Sequence, residues 1–165
     1  MKSLTELKRL MLQRPRRTLA VAESVTCGRI QSRIGEISGA SEFFLGGITT
    51  YTLDEKVRHL GVKRAAARKV NGVSADVAAE MARGVCRLFG SDVGVAITGY
   101  AEPAPAQKAT QPLAHWAIAV RQRGRVTVMR QGEIQCLGFN RTATQQHFAD
   151  AVLAELVGWL DQRSR

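Results

Sequence analysis

The segment "ISGASEFFLGGITTY", Ile37 to Tyr51, carries Ser41 after a patch of small residues and ends on a tyrosine, and Lys56 follows five residues later. Serine, tyrosine and lysine together can perform acyl transfer. A serine hydroxyl attacks a carbonyl once a base takes its proton, and a neutral lysine can be that base. Neutrality requires burial or a neighbouring cation to lower the pKa. A tyrosine between them could orient the pair or relay a proton. Each residue also has a plain structural reading. Ser41 precedes "EFF" as a helix N-cap would, and a serine so placed is a cap far more often than a nucleophile. The same position would set its hydroxyl beside free backbone N–H groups able to receive an oxyanion. Lys56 falls in the first turn of a short helix, where the dipole gives it nothing, so on its place alone an exposed charge is the favoured reading. Tyr51 then reads as edge packing.

The elements that must position these residues follow from apolar periodicity. Residues 3–13 read as an amphipathic helix that ends before Pro15. "TLAVA", 18–22, reads as a buried strand, and "CGRIQSRIGEI" as a helix with Ile30, Ile34 and Ile37 on one face. "GGITTY" is a second strand. "DEKVRHLG" is a short helix with Asp54 and Glu55 in its first turn and Gly61 as its stop. "KRAAARKV" adds a helical turn or two, and a longer helix runs from Ser74 to Gly90. "SDVGVAITG" is apolar throughout and reads as a central strand. "PAPAQKATQP" is a loop. "LAHWAIAV" and "VTVMRQGEIQCLG" form a hairpin joined by "RQRGR". A last helix runs through "TATQQHFADAVLAELVGWL", where Thr142 and Gln145 have capping-box spacing. The order predicts an α/β fold: one three-layer α/β/α domain over residues 1–165, with a mixed, mainly parallel sheet.

In such sheets ligands bind beyond the carboxyl ends of the strands. "AVAESVTCG", "TTYTLDEK" and "VAITGYAEP" leave three strands there, and all carry hydroxyls, carboxylates or glycines. The net charge is +10, but the basic residues are scattered, so nucleic acid is not expected as a partner. A phosphate-bearing small ligand would be drawn in by such a field. Cys27, Cys86 and Cys136 are far apart, and His59, His115 and His147 form no set, so neither a disulfide frame nor a metal site is predicted. No apolar run is long enough for a membrane span, and the N-terminus lacks a signal-peptide core, which predicts a cytoplasmic protein.

Five segments, taken together, resemble the CinA C-terminal domain family over roughly residues 16–160. "AESVTCG" is similar to the family's AES-C-T-G-G. "SGASEFFLGGITTYTLDEKVRHLGV" is similar to A-G-S-S-x-x-F-x-x-G-x-V-T-Y-x-N-x-x-K-x-x-x-L-G-V. "VSADVAAEMARGV", "VAITGYAEP" and "FNR" match three further blocks in order. Active members of that family deamidate nicotinamide mononucleotide. The resemblance implies a serine amidohydrolase with Ser41, Tyr51 and Lys56 as its catalytic trio. It also implies a nucleotide substrate held by Glu23, Ser24, Thr26, Gly28, Thr98, Gly99 and Arg141, no metal or other cofactor, and a homo-oligomer. The alternative on the same fold is a catalytically silent nucleotide-binding or regulatory protein.

The chain departs from the family pattern near the ligand. Val25 and Cys27 replace a cysteine and a glycine, Leu53 replaces an asparagine, and Gln145 stands where a second arginine would follow Arg141. Glu102 replaces a glycine, and the loop after it is "APAQKATQPLAH". A carboxylate at that place opposes phosphate, so weakened phosphate recognition is expected.

Overall fold

The size of alternate residues in one short strand decides how the layers pack. β1 (Leu19–Glu23) is buried at every position. Leu19 and Val21 enter one core, and Ala20 and Ala22 enter another on the opposite face. β2 (Phe44–Thr49) and β3 (Val93–Tyr100) flank β1 and run parallel to it. β4 (Leu113–Gln122) and β5 (Arg125–Gln135) extend the sheet as antiparallel neighbours, giving the order β2-β1-β3-β4-β5. Only β4 runs against the others, so the sheet is mixed and mainly parallel, as predicted. The computed structural model describes residues 2–138 and 140–164. Phe139 of the "FNR" segment therefore lies outside the described residues, as do Met1 and Arg165.

On the large-residue face lie α1 (Lys2–Leu12), α2 (Arg29–Gly35) and α6 (Arg141–Gln162). Leu7, Met11, Ile30, Ile34 and Phe148 are fully buried there against Leu19, Val21 and Ile97. Each such side chain contributes roughly 1.5–3 kcal/mol on leaving water. The other face carries α3 (Leu53–Leu60), α4 (Arg64–Lys69) and α5 (Ala75–Phe89). It is paved with Ala20, Ala22, Ala96, Ala117 and Ala119, so α5 sits close. A Cβ at Gly94 would lie 2.4 Å from the Ala82 carbonyl oxygen, and one at Gly84 2.2 Å from that of Leu60. Neither position can carry a side chain without moving a helix.

Local chemistry sets the element ends. The Ser74 hydroxyl accepts from the Val77 N–H, and Gly90 ends α5 in the left-handed region. The hairpin turn is shorter than "RQRGR": Gln122 pairs with Arg125, leaving Arg123 and Gly124, both at positive φ. Two such residues are what a type I′ turn requires. At α6 the predicted Thr142–Gln145 capping box does not form. Asn140 is the cap, its side-chain oxygen accepting from the Ala143 N–H at 2.9 Å. Gln145 is buried and donates instead to the Val25 carbonyl at 2.9 Å.

The chain leaves β1 through α2 on one face to reach β2. It returns through α3, α4 and α5 on the other face to reach β3, on the opposite side of β1. The segments that leave the neighbouring parallel strands β1 and β2 go to opposite faces of the sheet, which opens a crevice at their carboxyl ends.

Candidate active site

Ser24 is the first residue past β1. Its N–H still donates to the Ile97 carbonyl at 3.1 Å, after which the chain turns and the Cys27 N–H returns to the Ser24 carbonyl. Glu23 anchors this turn from behind. Its fully buried carboxylate accepts from the Thr26 hydroxyl (2.6 Å) and from the N–H groups of Gly28, Ile30 and Gln31 (3.0, 3.2 and 2.9 Å). A carboxylate so placed satisfies the open donors at the start of α2, in the position where the helix dipole favours negative charge. Glu23, Thr26 and Gly28, expected to bind substrate, are thus spent on fixing Ser24 and do not line the cleft.

Lys56 arrives from the second strand. Thr52 caps α3, its hydroxyl accepting from the Glu55 N–H, and Lys56 falls in the following turn. The lysine is not the exposed charge that its place in the helix allowed. It is 3% exposed, and its Nζ donates to Ser24 Oγ at 2.8 Å and to the Tyr51 carbonyl at 3.2 Å. No charged neighbour offsets its desolvation, and burial pushes its pKa down to about 8. Gly72 packs over the lysine stem, and the buried Thr98 hydroxyl holds that loop by donating to the Gly72 carbonyl at 2.7 Å. Thr98, also expected at the ligand, is therefore a prop behind the lysine.

Ser24, Tyr51, Lys56, Asn71, Tyr100 and Arg141 line one cleft of about 450 Å³ together with Gly99 and Glu102. Gly99 meets the cleft with backbone only, because a Cβ there would lie 2.3 Å from the Leu113 carbonyl oxygen on β4. At the mouth, Arg141 donates to the Tyr51 phenol oxygen and to the Glu102 carboxylate, each at 2.7 Å. The Glu102 carboxylate raises the arginine's pKa further. Asn71 donates to the Tyr100 hydroxyl at 3.2 Å.

The expected nucleophile is elsewhere. Ser41 is exposed in a 3₁₀ turn, Ala40–Glu42, that leads into the amino end of β2, and Gly39 rather than Ser41 occupies the cap position. Tyr51 and Lys56 follow the carboxyl end of that strand. Six residues at about 3.3 Å each separate the two ends by roughly 20 Å. The structure brings Lys56 to Ser24 and does not bring it to Ser41. Tyr51 joins the site in an unexpected way, through its carbonyl, while its phenol serves Arg141. Sequence reasoning placed Ser24 among the ligand contacts and did not single out Asn71 or Tyr100. The signals for Ser24 were its place in the segment leaving the first strand and the resemblance of "AESVTCG" to the family's block.

The CinA C-terminal domain profile matches residues 1–160. The chain belongs to the CinA C-terminal domain family. A CinA-like protein of Chlorobium limicola is 35% identical over 147 residues, which is 88% of this chain and 34% of the relative. A CinA-like protein of Geobacter sulfurreducens is 48% identical over 86 residues, 52% of this chain and 21% of the relative. The chain thus spans only about a fifth to a third of the length of these CinA relatives. The crystal structure of the competence/damage inducible protein CihA from Agrobacterium tumefaciens is 28% identical, with a TM-score of 0.82 covering 98% of this chain and 96% of that one. A CinA superfamily protein from Klebsiella pneumoniae, 23% identical, has the same fold at a TM-score of 0.85, covering 98% and 97%.

Proposed function

We propose that this CinA-family chain is a serine amidohydrolase that deamidates a nicotinamide nucleotide, with Ser24 as nucleophile and Lys56 as base. One observation carries this reading: a buried lysine, with no charged partner among the described residues, hydrogen-bonded at 2.8 Å to a serine that lines a cleft of about 450 Å³. A structural lysine would reach water or a carboxylate. A lysine held dry against a hydroxyl is the arrangement that proton abstraction needs.

Neutral Lys56 takes the Ser24 proton as Oγ bonds to the carboxamide carbon. The Cys27, Gly28, Ile30 and Gln31 N–H groups are already engaged, so the Val25 and Thr26 N–H groups beside Ser24 would receive the oxyanion. Lys56 then returns the proton to the departing nitrogen, the C–N bond breaks, and ammonia leaves. Water, deprotonated by the same amine, hydrolyses the acyl-serine to the nicotinate nucleotide. The Tyr51 carbonyl keeps the amine aimed during both steps. A cytoplasmic homo-oligomer using nicotinamide mononucleotide as substrate is part of the same proposal. The test is ammonia release from nicotinamide mononucleotide by wild type and Ser24→Ala. Release that survives in Ser24→Ala removes this serine, and no release by wild type from either the mononucleotide or its unphosphorylated riboside favours a silent nucleotide-binding member of the family.

A further inference from the structure

Of the residues lining the cleft, only Lys56, Glu102 and Arg141 carry charge. When Lys56 is neutral and able to act as base, the carboxylate and the guanidinium cancel. A phosphate dianion entering then meets no net positive charge from the cleft walls. Arg141 is the one cation at the mouth, and two of its N–H groups already serve Glu102 and Tyr51. Phosphate must either displace the carboxylate or bind beside it, and the like charges oppose each other there, moderated by solvent because both side chains are about half exposed. The chain's overall +10 charge does not change this balance, because spread surface charge is screened within about 10 Å at ordinary salt. Glu102 faces the same mouth and suits a group that is neutral or cationic.

We infer that Glu102 determines the substrate class: the cleft prefers a carboxamide borne on an unphosphorylated pyridinium nucleoside over its 5′-phosphate. The inference rests on the amidohydrolase reading and moves its preferred substrate from the nucleotide to the nucleoside. The reaction and its residues stay the same, and the phosphate seat on Arg141 is filled from within. Glu102 acts through Arg141, so it is a positioning and selectivity residue rather than a catalytic one.

The experiment compares nicotinamide riboside with nicotinamide mononucleotide on the purified chain at about pH 8.5, where Lys56 is mainly neutral, by calorimetric binding and, in parallel, by ammonia release. Wild type should bind the riboside at least as tightly as the mononucleotide. Glu102→Gln keeps the side-chain length and removes the charge, and it should shift the affinity ratio about tenfold or more toward the mononucleotide. Adding Arg141→Gln to Glu102→Gln should erase that shift. A merely structural role for Glu102 would change both affinities together and leave the ratio still. The inference is overturned by a wild type that prefers the mononucleotide tenfold, by a ratio that Glu102→Gln does not move, or by binding of neither ligand. Selective binding without ammonia from either compound would support the inference while sinking the deamidase reading.

Discussion

Two serines compete for one role, and only one shares a hydrogen bond with the lysine. Ser24→Ala should lower turnover by three orders of magnitude or more, as loss of a nucleophile and of general-base catalysis (worth about 10²–10⁴) together require. Ser41→Ala, at the far end of β2, should stay within twofold of wild type in the same ammonia assay. The rate should also climb with pH. Lys56 is the base only when neutral and its pKa is lowered to about 8, so kcat/KM should rise tenfold per unit below that value and level off above it. A profile flat from pH 6 to 9 would remove Lys56 as the base. Lys56 was legible as a base candidate through the family resemblance, whereas its place in the helix favoured an exposed charge. Its burial was not, because burial comes from the loop at Gly72, sixteen residues on, closing over its stem.

At the scale of elements, the turn from β1 to α2 carries Ser24, the proposed nucleophile, and Glu23 holds that turn. Glu23→Ala leaves a hydroxyl and three N–H groups without their acceptor in a dry place. The expected loss is about 3 kcal/mol or more, since each stranded buried donor costs about 1–3 kcal/mol. Urea unfolding measures it, and a change below 1 kcal/mol would refute the anchoring role. The α3–α5 contact makes a second case. Gly84→Ala pushes a methyl into the Leu60 carbonyl and should cost about 3 kcal/mol, near the upper end of ordinary overpacking. Element order and type were legible from the sequence, down to the Ser74 cap and the Gly90 stop. The errors fell where a short polar residue had two possible partners. Thr142 and Gln145 have the right spacing for a local cap, yet Gln145 is taken by the Val25 carbonyl across the fold. Glu23, Thr26 and Thr98 lie at or near a strand's carboxyl end as ligand residues do, but Thr26 donates to the Glu23 carboxylate, and Glu23 and Thr98 are engaged by the backbone around them. Spacing along the chain cannot tell which side of a turn a hydroxyl faces.

For the whole molecule, a dry lysine is a liability that pH exposes. Below pH 8 both folded and unfolded chains hold the Lys56 proton, and the fold bears the full desolvation cost. That cost is about 3 kcal/mol for a shift from 10.5 to about 8. Between pH 8 and 10.5 the unfolded chain keeps the proton and the folded chain sheds it, so stability rises with pH. Lys56→Met should therefore be more stable than wild type at pH 7. The difference should shrink by about 2 kcal/mol by pH 9.5, measured from urea midpoints of both proteins. A gap that does not narrow would mean that Lys56 is not desolvated in solution.

The same lysine should be conspicuous to an electrophile. With a pKa near 8, about a tenth of Lys56 is free amine at pH 7, against about 0.03% for an ordinary lysine. Its amine faces a cleft that a small reagent can enter, beside a hydroxyl able to relay an acyl group. Low doses of cyanate or a small acylating agent should mark Lys56 or Ser24 well before the surface lysines. A labelled peptide spanning residues 53–60 or 19–28 would then report occupancy of the cleft by any ligand that blocks it, without knowledge of what that ligand is.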